Sequence, residues 1–396
     1  MLGLSRLFTR FERKAVTLTD PGAWNLFGGI PTATGIAVSA ESAMRVPAVS
    51  CAVALIAETV GTLPIKLFES DGKAQANTHP AYRLMHDAAN EWTSAEALRT
   101  QLTTDALLRG DGYALVIRTG NGIPAELHRI EPGKVQNKCE ADGTPFYVIS
   151  MPVGERRFEF TDILHIQAFG GVSPIAFGRE AIGLAQAYEA HLASHFANGG
   201  RPSGIITSPK IVDVEAKRKL AASWFQTHNG KNAGGTAILD EGMAYEALSA
   251  TLADSQFAEN RLEQIREIAR LFRVPPTMLF ELTRGTWSNT EEMSRQFLAI
   301  TLKPWLATWT WAYSRVLLTP EERTTHYVEF ITDDFMTTNH AARATAYSQY
   351  RAMGAMTANE VRAGLNLSPL PEGNSLANPH ITTPDNSDAL VKDEAA

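Results

Sequence analysis

The sequence predicts an α+β fold, and three observations carry it. Residues 46–177 alternate apolar helical runs with short strand signals joined by tight turns. Two long helical stretches, Gly178 to Asn198 and Asp254 to Arg273, then bracket a compact strand, helix, strand insert. A third helical stretch, Thr290 to Leu318, spans roughly 43 Å at 1.5 Å per residue, which is long for one globular layer.

Residues 46–60, which follow a Gly/Pro/Thr-rich stretch, are apolar almost throughout, Ser50 and Glu58 aside. They end at Gly61 and Pro64, which predicts a buried helix. Ile65 to Phe68 predicts a short strand, with Ser70-Asp71-Gly72 as its turn. A helix is expected over Trp92 to Leu108, capped by Thr93 or Ser94, with Glu96 in its first turn and Gly110 and Gly112 to stop it. Tyr113 to Arg118 and Glu126 to Ile130 flank Gly120-Asn121-Gly122, the pattern of a hairpin. Further strands are predicted at Phe146 to Met151, Arg157 to Phe160 and Ile163 to Ile166.

The helix Gly178 to Asn198 ends at Gly199-Gly200, and the insert after it reads as a strand Gly204 to Thr207, a helix Val214 to Thr227 and a strand Thr236 to Leu239. In the returning helix, Ala258, Leu262, Ile265, Ala269 and Phe272 form a stripe of near-heptad spacing, which suits packing on another helix as an antiparallel pair. Pro275-Pro276 closes that helix, because a proline lacks the N–H and restrains its predecessor. The polar loop Thr283 to Asn289 follows, and Ser288 with Glu291, or Asn289 with Glu292, has capping-box spacing for a helix that should bend at Pro304. A strand Tyr327 to Ile331, a helix Asn339 to Met353 and a short helix capped by Thr357 with Glu360 complete the reading, with disorder expected from about Leu376.

The chain has 396 residues, 44% of them apolar, enough for more than one core. With 43 acidic against 36 basic side chains its net charge is −7, which argues against holding nucleic acid by neutralising many phosphates. Its two cysteines, Cys51 and Cys139, make neither a disulfide framework nor a thiolate zinc site. No uninterrupted apolar run reaches the roughly 20 residues that span a bilayer, and the first residues lack a secretory signal, so no membrane partner is expected. Leu4, Leu7, Phe8 and Phe11 do share one helical face, with Arg6, Arg10, Arg13 and Lys14 around it; a frayed terminus and a partner-docking or membrane-surface helix both fit that pattern.

The chemistry of an enzyme is hard to find. GxxxxGK[ST] and GxSxG are absent, and no GxGxxG opens a helix after a strand. His191 and His195 stand at i,i+4, but Leu192-Ala193-Ser194 between them supplies no glutamate and no third ligand is suggested. The pairs Glu291-Glu292 and Asp333-Asp334 have structural readings, as first-turn charge at a helix N-terminus and as a turn. No cofactor and no metal are expected.

The order of local matches resembles the portal family of long-tailed bacteriophages. It is carried by Val46 to Glu58 with Gly61-Thr62-Leu63-Pro64; Leu108 to Tyr113, with Asp111 where the family usually has Asn; Glu126-Leu127; Gly178 to Ile182; Phe196 to Gly204; Ile268 to Pro276; Ser288-Asn289 with Phe297; Leu302 to Trp305; and Thr357 to Arg362. Each match is weak alone, and the ordered set, from Val46 to Asn374, is specific.

The resemblance implies a ring, commonly of twelve subunits, at a capsid vertex of a phage, a prophage remnant or a gene transfer agent, assembled in the bacterial host cytoplasm. It implies an N-terminal arm (1–45), a wing (46–177 and 274–331), stem helices (178–200 and 252–273), a clip (201–251), a small α-helical crown (332–375) and a disordered tail (376–396). The stem packs through Leu262, Ile265, Ala269 and Phe272. The clip, with Ile205, Ile206, Trp224, Lys231, Asn232, Ile238 and Leu239, docks the terminase large subunit and later the head–tail adaptors. Thr283, Arg284, Gly285, Thr286, Trp287, Ser288 and Asn289 form the tunnel loop around passing double-stranded DNA, continued by the long helix 290–318. The major capsid protein is a further implied partner. An unrecognised metal-dependent hydrolase or nuclease, and a monomeric DNA-binding or adaptor module, are the competing expectations.

Overall fold

The computed structural model describes residues 32–71, 74–152, 154–197, 204–209, 211, 213–228, 242–247, 253–282, 290–332, 340–365 and 367–376. After a single turn, α1 (Ala40–Ala43), closed by a reciprocal Ser39–Ser42 capping box, Pro47 opens α2 (Pro47–Thr62). Val49, Val53, Ile56 and Val60 bury one face of α2 against α4 (Ala95–Arg109). Ser94, not Thr93, caps α4, its hydroxyl accepting from the Ala97 N–H. Between these helices run β1 (Ile65–Glu69) and the short α3 (Pro80–His86).

Gly110 ends α4 at φ 100°, a left-handed geometry that favours glycine. Gly112 serves a second purpose: a Cβ there would lie 2.3 Å from the Leu102 carbonyl oxygen, so only a bare backbone passes. The chain then enters an antiparallel sheet of order β3-β2-β7, formed by β2 (Asp111–Arg118), β3 (Pro124–Ile130) and β7 (Ile163–Gln167). The meander β4 (Val135–Cys139), β5 (Pro145–Met151) and β6 (Gly154–Glu159) is inserted before β7 and forms its own sheet. Tyr113, Tyr147, Ile149 and Ile163 join the two sheets in a small satellite core.

α5 (Pro174–Phe177) leads into α6 (Arg179–Ala197), followed by β8 (Gly204–Thr207), α7 (Val214–His228), β9 (Ala244–Ala247) and α8 (Ala253–Phe272). β8 pairs antiparallel with β9, so the partner strand lies later than the expected Thr236 to Leu239, which falls outside the described residues. None of the described residues 204–247 belongs to either core cluster.

The third helical stretch differs from a bent α-helix. α9 (Thr290–Gln296) passes into a π-helical segment, Phe297–Leu302, and then into α10 (Lys303–Leu317). Pro304, expected as the site of a bend, sits at the start of α10. Its missing N–H forfeits one α-type bond, and the wider π register just before it absorbs the irregularity. α10 drives Trp309 and Tyr313, both fully buried, into the main core, where the Trp309 indole N–H donates to Thr103 Oγ1 at 3.0 Å. β10 (His326–Phe330) closes the body by pairing antiparallel with β1, Ile65 opposite Phe330. Two helices, His340–Ala352 and Ala358–Gly364, follow, the second capped by the expected Thr357–Glu360 box.

Candidate functional site

The helix pair and its insert are the first candidate. At one end a Cβ on Gly178 would lie 2.0 Å from Leu271 Cδ2, and further along α6 Leu192 lines one groove with Arg261; α6 and α8 therefore run antiparallel. Of the residues expected to pack the pair, Ala269 and Phe272 are buried, while Ile265 and Leu262 are half-buried. Ile268, passed over in the near-heptad stripe, is buried as well, because this half of α8 packs on α2 in addition to α6 and needs the wider stripe of a globular helix. On the outer face Glu263 meets Arg270 at 3.0 Å and Arg266 at 3.3 Å, and Glu267 pairs with Arg270. Hydrogen bonds from Arg270, then Arg266, hold the Glu263 carboxyl below its ordinary range.

Within the insert, Ile205 and Ile206 lie on β8 opposite Glu246 and Tyr245, and Trp224 lies on α7. Lys231, Asn232, Ile238 and Leu239 fall outside the described residues. Ile211 and Val214, which sequence reasoning did not select, expose large apolar side chains at the start of α7.

The segment around residues 283–289 is the second candidate. Thr283, Arg284, Gly285, Thr286, Trp287, Ser288 and Asn289 all lie outside the described residues, as does the expected cap at Ser288 or Asn289. The flanks are described. Before the loop, a 3₁₀ turn (Pro276–Leu279) ends in Phe280, left-handed at φ 62°, and Glu281, buried with Arg266 at 3.4 Å. After it, the π segment buries Phe297, Leu298, Thr301 and Leu302, and Thr301 Oγ1 donates to the Arg273 carbonyl at 2.5 Å. Both arms of the loop are thus fastened to the same corner of the body, at the end of α8.

Beside that corner opens a cleft of about 520 Å³ between α5, α8 and α10. Phe169 (76% exposed), Phe177, Ile300 and Trp311 (65% exposed) present large apolar faces around it, and the Arg273 guanidinium lies 5.3 Å from the Phe169 ring centre. A single surface Trp or Phe is unremarkable; several around one cleft mark an interaction surface. Deeper in, Asp111 and His165 are 2.8 Å apart, His165 and Tyr147 3.0 Å, and Tyr113 stacks on the His165 ring at 4.6 Å. Burial pushes the Tyr113 and Tyr147 phenols above their ordinary range. Buried phenols held neutral are hydrogen-bond donors to the network, not nucleophiles.

Among the described residues no group of three or more His, Cys, Asp and Glu could hold a metal ion, and no helix is long and apolar enough to cross a membrane. His191 is exposed on α6, and Glu292 meets Arg295 at 3.9 Å; the His195 and Glu291 side chains and the Asp333-Asp334 pair are outside what is described.

A family model for phage portal proteins matches residues 47–366. The chain is 28% identical over 390 residues to the probable portal protein of Streptomyces phage phiC31, covering 94% of this chain and 85% of that one. It is 26% identical over 348 residues to the portal protein of Enterobacteria phage HK97, covering 85% and 82%. Two chains of gene transfer agent particles share the fold. One, from the virion of a native particle, superposes with a TM-score of 0.61 at 24% identity, covering 89% of this chain and 100% of that chain. The other, from the neck of a native particle computed with C12 symmetry, gives 0.59 at 23% identity with the same coverage. The ordered motifs of the sequence and a family match from the start of α2 to the end of the last helix agree, and the chain belongs to the phage portal protein family.

Proposed function

We propose that the chain is the subunit of a ring, of twelve copies, at one vertex of a phage or phage-like capsid, and that double-stranded DNA enters and leaves through the hole. The observation that carries this reading is the antiparallel pair of α6 and α8, joined through an insert whose described residues stay outside both cores, in a chain of the portal family. A surface placed at the end of two helices is available to partners in turn. The pair is the stem and the insert the clip, which docks the terminase large subunit during filling and head–tail adaptors afterwards. Residues 46–177 and 274–331 make the wing, and residues 332–375, with the helices His340–Ala352 and Ala358–Gly364, the crown, seated toward the capsid interior. The twelvefold symmetry of the gene transfer agent neck supports the copy number. Assembly takes place in the bacterial host cytoplasm, with the major capsid protein around the ring.

A channel that lets DNA slide must not grip phosphates, and a net charge of −7 with a short loop carrying one cation, Arg284, meets that need. Residues 283–289 form the tunnel loop, and their fastening to the end of α8 on both sides fixes where the loop meets DNA. Removing residues 284–288 and bridging the gap with glycine is expected to leave the ring intact by electron microscopy and to reduce the DNA retained per particle severalfold. Rings with normal DNA content would remove the loop from the mechanism, and the loss of rings would make it an assembly element instead.

A further inference from the structure

A second groove, of about 220 Å³, lies between α2, α6 and α8, on apolar side chains that include Val46, Cys51, Leu192, Ile265 and Ile268. Three observations set it apart from an ordinary surface furrow. Gln264 Oε1, in its wall, is buried and has no hydrogen-bond partner among the described residues, an arrangement that is unfavourable until a donor arrives. Phe280, on its rim, is held left-handed and leaves its ring 82% exposed, although both the backbone geometry and the exposure are unfavourable for a phenylalanine. Glu189 on the same rim has no ion-pair partner among the described residues.

The amino-terminal chain arrives beside this groove. Thr32 is buried against α6, so close that a Cβ on Gly183 would lie 2.6 Å from the Thr32 methyl, and the Ala33 N–H donates to the Glu180 carboxylate at 3.0 Å. The groove begins at Ala185, half a turn further along α6. Upstream, Leu4, Leu7, Phe8 and Phe11 recur at i, i+3, i+4 and i+7, an apolar stripe flanked by Arg6, Arg10, Arg13 and Lys14. Residues 12–31 can span about 65 Å when extended, far more than the return from Thr32 requires.

We propose that residues 4–11 of the chain's own amino-terminal segment dock as an amphipathic helix in this groove, covering Phe280 and placing a basic side chain against Glu189. The segment's arginines are donors of the kind that Gln264 Oε1 lacks. Such a strap ties α2 to the helix pair, and so couples the body to the insert's base. The inference does not depend on the ring: it concerns contacts within one subunit and is read equally on monomers or rings.

Cys51 reports on the groove directly, since Cys139→Ser leaves it as the only thiol. In that background, Phe8→Asp is expected to raise the rate at which a maleimide labels Cys51 by on the order of tenfold, as removal of a covering element exposes a protected site. Circular dichroism of both proteins controls for folding, and equal labelling rates in folded proteins would overturn the docking. Adding Leu7→Cys and a short bismaleimide then assigns the subunit. A link to Cys51 inside one chain, seen as a faster-migrating monomer on a denaturing gel, is expected. A ladder of linked subunits would overturn the own-subunit assignment by giving the groove to a neighbour's segment.

Discussion

Arg99 is buried 3% exposed in the main core, and among the described residues no carboxylate pairs with it. Its guanidinium instead donates to the Gly61 carbonyl through Nε and Nη2 and to the Met85 carbonyl at 2.5 Å, so it caps the C-terminal end of α2, where a cation is favoured, and ties α3 to it. A lysine brings the charge without the planar fork. Arg99→Lys is therefore expected to cost about 1–3 kcal/mol, read as a lower urea midpoint with unchanged slope; an unchanged midpoint would show that the fork is dispensable. Glu322 makes a pH-dependent contribution of a different kind. Partial burial raises its pKa, but hydrogen bonds from the Thr319 N–H and from His79, 3.2 Å away, outweigh this and leave it below the ordinary 4.5. A depressed carboxylate stabilises the fold above its unfolded value and loses that contribution as pH falls through the folded value. The stability difference between the parent and Glu322→Gln should be constant above about pH 5 and shrink below 4.5, which denaturation curves across that range will test. Neither role was fully legible in the sequence, because Gly61 and Met85 reach Arg99, and His79 reaches Glu322, from distant stretches of the chain.

At the scale of elements, what the sequence disclosed followed from how strongly each pattern was repeated. α2 declares itself through a nearly continuous apolar run, α6 through its length up to Gly199-Gly200, α8 through its apolar stripe, and the hairpin of β2 and β3 through Gly120-Asn121-Gly122 between two strand runs. β4 left no such signal, since four of its five residues are exposed and nothing alternates. α3 is too short, at 7 residues, for periodicity to show. The β1–β10 ladder pairs Ile65 with Phe330, a contact that no local pattern encodes. The π segment was read as a proline bend because the sequence shows Pro304 but not how the preceding turns absorb its missing N–H. None of the insert's described residues enters either core, and excising residues 204–247 in favour of a short glycine linker is expected to leave the body's thermal midpoint within about 3 °C of the parent. A midpoint lowered by more than about 10 °C would show that the insert stabilises the body it was taken to leave alone.

For the whole molecule, composition alone described an acidic α+β chain without recognisable catalytic motifs, and the ordered motifs supplied the family. What neither could supply is an exposed surface suited to contacts between copies in the proposed ring. The cleft around Phe169, Phe177, Ile300 and Trp311 assembles side chains from widely separated stretches of sequence, and only folding brings them together. A ring is built from heterologous contacts, one patch of each subunit on a different patch of the next, and closure requires that the same contact repeat around the circle. Exposed aromatic clusters are the anchors on which such contacts depend. Closure of this chain into a ring around a hole for duplex DNA, as proposed, is tested most directly by single-particle mass and shape: mass photometry of the purified chain with negative-stain images of the same sample. A discrete species of about twelve subunits is expected, seen end-on as a ring with an open centre. A chain that remains monomeric at every concentration, both alone and when coexpressed with its capsid protein, would contradict it.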